Sequence, residues 1–308
     1  MEDTNKCFDY DQYSEDKIIT FKVKGNLFDD GFDLNITLNI LKDFQYIMDK
    51  AYLTLVNKKK ISEKDRELYK IKAINSKDKS LILDLQIYIG STMQAAMPIL
   101  SSYSPKQMWD LVKNGYDFIS NITKARKQGK SVNIKQNKNI DKINVEIQGD
   151  EKDIIIDKNT YIFSNKAYDD YNKLSNYIDD ENVEEISIYE KDFSEDANII
   201  NFDVNKKEIF KYKSRIHENI LNFKGRIFRI DVDNKKGKID ILESKEKSIP
   251  LNQYNFKVLD DKDIKECCNY INKPTEFTAL KKIIENPFLG EEKIECLIIT
   301  KINEDNFK

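Results

Sequence analysis

The sequence predicts an α+β fold in several small domains: an N-terminal strand-helix-strand-strand-helix unit, an α+β middle, and a small β-barrel-like domain at the C-terminus. Three observations predict it. Apolar residues recur at helical three- and four-residue steps in some stretches and alternate with polar ones in others. The 308 residues exceed what one core of ordinary size needs. The sign of the charge changes along the chain, with 51 basic and 54 acidic side chains distributed unevenly.

Residues 1–16 carry six acids and one Lys and read as an acidic flexible arm. Lys17 to Lys24 then alternates, with Ile19, Phe21 and Val23 on one face, and Gly25 opens a turn. Ile40, Leu41, Phe44, Ile47, Met48, Ala51, Tyr52 and Leu55 form a helical stripe. Two strands over 67–74 and 80–89 follow. Ser104, Pro105 and Gln107 spell a capping box with Pro at the first helical position, ahead of a stripe through Met108, Leu111, Val112, Ile119 and Ile122. The first domain therefore spans 17–128, and the basic, Asn- and Gln-rich stretch 129–142 reads as a linker. An acidic α+β domain over 143–205 holds strands near 143–147, 153–156, 185–189 and 199–204 and a helix over 160–178. In the last segment, 206–308, Arg226 to Asp233 alternates with Phe228, Ile230 and Val232 on one face. A turn at 234–237 and a returning strand at 238–242 complete a hairpin. Further short strands and one helix, 261–271, complete a barrel-like sheet.

Composition removes most enzyme classes. One histidine, His217, and four cysteines, Cys7, Cys267, Cys268 and Cys296, have no metal-ligand spacing, so no structural metal is expected. Nine scattered glycines form neither GxGxxG nor GxxxxGK[ST], which argues against nucleotide cofactors. No cofactor and no small-molecule ligand are expected. No run of about 18 apolar residues would cross a bilayer, and acids at positions 2, 3, 9 and 11 do not make a secretory signal. With few cysteines, the expected location is the cytoplasm.

Three surfaces stand out. Between Asp84 and Lys106 there is no charged residue. Charge is depleted at interface cores, so Met93, Ala96, Met97, Ile99, Leu100, Tyr103, Met108 and Trp109 are the candidate contacts to a protein partner or a second copy. Residues 206–238 hold 11 basic and four acidic side chains. Lys207, Lys211, Tyr212, Lys213, Arg215, Arg226 and Arg229, interleaved with Phe210, Phe223 and Phe228, have the composition of a single-strand nucleic-acid groove. Residues 141–204 hold 18 acids and six Lys, and such a surface could block a basic partner. A fourth pattern, Asp231 and Asp233 followed by Glu243 and Lys245, resembles the carboxylate cluster of a metal-dependent nuclease. In a chain one-third charged, it arises readily by chance.

The order of features resembles an uncharacterised family of proteins from bacteria and their mobile elements. The residues carrying the resemblance are Phe21-Lys22-Val23-Lys24-Gly25, the segment 80–122, Gly225-Arg226-Ile227-Phe228-Arg229, Gly237, Ile249-Pro250 and Cys296-Leu297-Ile298-Ile299. The middle is unmatched, and Leu251 stands where Phe is usual. The resemblance implies an accessory, non-catalytic protein in phage defence or counter-defence. The expectation is thus a non-enzymatic interaction module, with nucleic-acid binding and partner blocking as alternatives.

Overall fold

The computed structural model describes residues 17–28, 31–77, 81–89, 104–136, 141–150, 153–179, 181–191, 200–244 and 249–303. Among these residues lie six α-helices and thirteen strands in three sheets. The arm 1–16, the interface candidates Met93 to Tyr103, and Lys245 fall outside the described residues. The chain divides into two compact units, 1–211 and 212–308.

The first unit opens with β1 (Lys17–Lys24), and Gly25 ends it at φ +141°. A Cβ there would lie 2.2 Å from the Asn182 carbonyl oxygen, so no other residue fits. Helix α1 (Leu34–Leu55) is capped by Asp33, whose carboxylate accepts the Ile36 amide at 2.8 Å, and buries the expected stripe except Leu41 and Leu55, which are half-buried. A short α2 (Glu63–Leu68), not anticipated, leads into β2 (Tyr69–Lys77) and β3 (Leu81–Ile89). Helix α3 (Pro105–Lys127) has the capping box its sequence announces. Strands β4 (Val132–Gln136), β5 (Lys142–Ile147) and β6 (Ile154–Asp157) form a three-stranded meander. Then come α4 (Lys158–Asn176), β7 (Glu185–Glu190), β8 (Ile200–Phe202) and α5 (Val204–Phe210).

The main sheet has the order β2-β3-β1-β7-β8, antiparallel throughout. Ile19, Phe21, Val23, Ile186 and Ile188 are buried on the face that meets the helices, and the Phe21 ring lies 5.1 Å from that of Phe44 on α1. The border strand β2 carries exposed Lys70 and Lys72 and a register shift between Ala73 and Asn75. This topology corrects the expected boundaries. Because β1 pairs with β3 on one side and β7 on the other, the stretches 17–128 and 143–205 share one sheet rather than forming separate domains. The stretch 129–142 is not a plain linker, because β4 lies within it and pairs with β5.

Alternation at the end of β7 fixes charges on both faces of this sheet. Glu190 faces the helices. Its carboxylate accepts hydrogen bonds from Lys113 Nζ at 2.6 Å, Trp109 Nε1 at 3.1 Å and Lys17 Nζ. Burial alone would raise the Glu190 carboxyl, but the two lysines outweigh it and hold the group below the usual carboxylate range. The next residue, Lys191, pairs with Asp84 on β3 at 2.9 Å, and Thr20 donates to the same carboxylate at 3.0 Å. Burial likewise opposes ionisation of Asp84, and its three donors reverse that.

Glu190→Ala would leave Lys17 and the Trp109 indole N–H without their acceptor and Lys113 with Asp110 alone. Breaking such a pair is expected to destabilise the unit by about 3–5 kcal/mol. Urea unfolding followed by the emission of Trp109, the only tryptophan, measures it. Both carboxyls titrate lower in the folded chain than in the unfolded one, so the unfolded state binds more protons as pH falls. Their contribution is complete above about pH 4.3 and disappears as pH drops through the folded values. The same Trp109 signal should show stability falling as pH drops below about 4.3.

The second unit is a closed barrel of β9 (Lys213–Asp231), β10 (Lys236–Ser244), β11 (Gln253–Lys257), β12 (Pro274–Asn286) and β13 (Glu291–Asn303), in the order β10-β11-β13-β12-β9. Helix α6 (Asp261–Asn269) lies between the third and fourth strands in sequence. The fourth strand returns beside the first, which makes a Greek key. The fifth closes the ring by pairing parallel with the third and antiparallel with the fourth. This is the connectivity of the OB-type barrel. Ile227, Ile239, Phe256, Phe277 and Leu297 fill its interior. Gly237 sits where a Cβ would lie 2.3 Å from the Arg229 carbonyl oxygen and 2.5 Å from the Phe256 ring. Gly237→Ala is expected to lower barrel stability by about 1–3 kcal/mol through overpacking, read as earlier thermal loss of the β signal in circular dichroism.

Candidate nucleic-acid interface

β9 is long because it serves two neighbours. Its first half pairs with β12 and its second with β10, and the two pairings overlap from Phe223 to Arg226. Along β9 and β10 the interior residues are Leu221, Phe223, Ile227, Ile239 and Ile241. The outward residues follow from the register. Asp231 lies opposite Lys236, Arg229 opposite Lys238, and Arg226 opposite Asp240. Across the next seam, Lys236 faces Lys257, Lys238 faces Asn255, and Asp240 faces Gln253. Three rows of polar side chains thus cover β9, β10 and β11.

Their charges do not cancel evenly. Arg226 is paired with Asp240 at 2.9 Å. Lys236 reaches Asp231 only at 3.7 Å, and that carboxylate already accepts the Asn234 amide N–H and side chain, which lower its pKa. Arg229 lies across from Lys238, and Lys236 across from Lys257. Like charges directly opposite on adjacent strands are destabilising. Here two such pairs stand side by side, and among the described residues neither Lys238 nor Lys257 has an ion-pair partner.

The structure redistributes the residues the sequence singled out. Lys207 and Lys211 belong to the first unit. Lys207 Nζ donates to the Ile178 carbonyl at 2.6 Å, and Lys211 pairs with Glu208 at 3.2 Å. In the barrel, Arg215 pairs with Glu292 at 2.6 Å, Lys213 lies opposite Glu285, and the Tyr212 ring sits 5.2 Å from Lys293 Nζ. Lys207, Lys211, Arg215 and Tyr212 are thus occupied, and the strip 206–238 is not one continuous footprint. Arg226 and Arg229 do lie on the outward face. Lys236, Lys238 and Lys257 join them, and strand register, which the sequence does not display, is what groups them. Of the interleaved aromatics, Phe210 is buried in the first unit, and Phe223 is in the barrel core, 5.8 Å from the Phe277 ring.

The nuclease cluster is not assembled. Asp231 pairs with Lys236 near the β9–β10 turn, whereas Glu243 pairs with Lys224, seven positions further along β10. At about 3.3 Å per residue that separation is roughly 23 Å, too far to share a metal. Glu243, Lys224 and Glu276 instead form a cross-strand row that lines a cavity of about 380 Å³ with Asn222 and Asn303. Asp233 is exposed in the turn. No group of three potential metal ligands occurs among the described residues.

Met108 and Trp109, expected at an interface, are fully buried in the first unit. Both lie on the inner face of α3, and the Trp109 N–H is consumed by Glu190. Many acids of the stretch 141–204 are matched locally. Lys130–Asp150 at 2.6 Å, Lys135–Glu146, Lys173–Asp170 at 2.9 Å and Lys24–Glu185 at 2.8 Å are ion pairs, and Asp203 caps α5. The first unit also holds an open cleft of about 630 Å³ between the end of α1, α3 and the start of α4. Its lining mixes Asp110, Asp141 and Asp157 with Lys158 and Lys166, and among the described residues none of these carboxylates is paired with either lysine. No helix is long and apolar enough to cross a membrane among the described residues.

Comparison with protein-family models, curated proteins and solved structures found no match.

Proposed function

We propose that this chain is a non-catalytic nucleic-acid-binding protein whose barrel grips the phosphate backbone across the outward face of β9, β10 and β11. One observation carries the reading: the adjacent like-charge pairs Arg229–Lys238 and Lys236–Lys257, beside which Asp231, 3.7 Å from Lys236, is a single carboxylate among four cations, so that an anionic ligand would supply the counter-charge this face lacks. OB-type barrels use the face of their second and third strands for oligonucleotides and oligosaccharides, and here those strands are β10 and β11. Strand order alone does not imply function. The placement of the charge on that particular face is what supports the reading. Asn255 and Gln253, beside the cations, supply neutral hydrogen-bonding groups for sugar and base edges.

Four phosphate contacts on a single strand predict a log–log salt slope of about −3, at about −0.7 per contact. Fluorescence anisotropy with a labelled oligothymidine, titrated at several salt concentrations, measures it. The double variant Arg229→Ala/Lys238→Ala is expected to bring the slope to about half that of the wild type. Lys211→Ala and Arg215→Ala, whose cations are already paired, are expected to leave it unchanged. A slope near zero, or equal slopes for wild type and double variant, refutes the proposal.

A further inference from the structure

Within the barrel, Phe228 is neither in the core nor fully at the surface. On β10, Lys238 is paired with Arg229 and the very next residue, Ile239, with Ile227. Phe228 is therefore the extra residue of a β-bulge and has no partner on β10. Ile227 is fully buried in the barrel core and Ile230 packs against it, whereas Phe228, between them, is half-buried and belongs to neither group. Among the described residues its ring meets no other aromatic ring. Arg226 and Arg229, both exposed, flank it on β9, and Lys238 lies across from Arg229.

A large apolar side chain held outside the core, on a strand segment flanked by exposed Arg226 and Arg229, is poorly explained by barrel stability. It is well suited to a ligand that offers a flat apolar surface next to a phosphate. Bulges re-aim side chains and recur beside functional sites. Aromatic rings between cations bind unpaired bases, each stacked base contributing about 1–3 kcal/mol whatever its identity. A duplex keeps its bases stacked on one another and offers no free face; a polyphosphate or sulfated sugar offers none at all.

Building on the proposed nucleic-acid reading, we infer that Phe228 stacks on an unpaired base, which makes the ligand single-stranded and its recognition indifferent to sequence. Arg229, Lys236, Lys238 and Lys257 hold the backbone, and Phe228 supplies the contact that separates single strands from other polyanions.

The test compares the full chain with Phe228→Ala, Phe228→Tyr and Arg229→Glu/Lys238→Glu on three labelled probes by fluorescence anisotropy: oligothymidine, an abasic strand of the same length, and the matching duplex. The wild type should bind oligothymidine about 5- to 150-fold more tightly than the abasic strand, the range that one stacked base provides. Phe228→Ala should lose about that factor on oligothymidine and almost nothing on the abasic strand, with an unchanged salt slope. Phe228→Tyr should bind like the wild type. The wild-type comparison between probes stands even if Phe228→Ala lowers the melting temperature. Equal wild-type affinity for oligothymidine and the abasic strand, or tighter binding of the duplex, overturns the stacking role while leaving the cationic face intact. Charge reversal without effect on any probe, or no binding of any probe by the wild type, overturns the underlying reading as well.

Discussion

The barrel depends on a single constraint: β9 must bond to neighbours on both sides while its direction changes. A ring of five strands closes only if one strand bends enough to pair with β12 over its first half and β10 over its second. Register shifts between Lys238 and Ile239 and between Ile241 and Glu243 supply that bend, and Gly237 permits the approach of β9 and β10 where Phe256 fills the interior. The face that carries Arg229 and Lys238 follows from this bend. Without the shifts, alternation along β9 would carry these cations out of phase with those of β10.

The first unit is held by a different device. Its sheet joins residues far apart in sequence, since β1 pairs with β7 about 165 positions later. At that junction the consecutive residues Glu190 and Lys191 project to opposite faces and find opposite charges on each. Two charged groups taken partly out of water are costly unless fully hydrogen-bonded. Here the carboxylates of Glu190 and Asp84 each accept three donors, so the junction is specified by polar geometry as well as by apolar packing.

Local patterns were legible in the sequence. The α1 stripe, the Ser104–Gln107 cap and the β9–β10 hairpin all express periodicities that extend over a few residues, and all are found. Pairing between distant strands was not legible, so the first two expected domains turned out to be one unit. The functional surface was half legible for the same reason. The excess of cations in 206–238 is visible in composition, but which of them face solvent without a partner depends on Glu292, Glu285 and Asp240, which come from other strands. The aromatics illustrate the limit most sharply. A strict two-residue alternation puts Phe228, Ile230 and Val232 on one face, yet Ile230 packs on the core, Val232 is exposed in the turn, and Phe228 is displaced by a bulge that composition does not encode.

The two units also differ in where their sheets stop. The ring of the second leaves no strand with a whole side unclaimed, whereas the main sheet of the first ends at β8 on one side and at the border strand β2 on the other. Lysines at positions 70 and 72 and the irregularity after Ala73 make that border a poor template for a strand from another molecule. At β2, then, repulsive charge and an uneven register disfavour the addition of a foreign strand, a defence that the closed ring of the second unit obtains from its geometry alone.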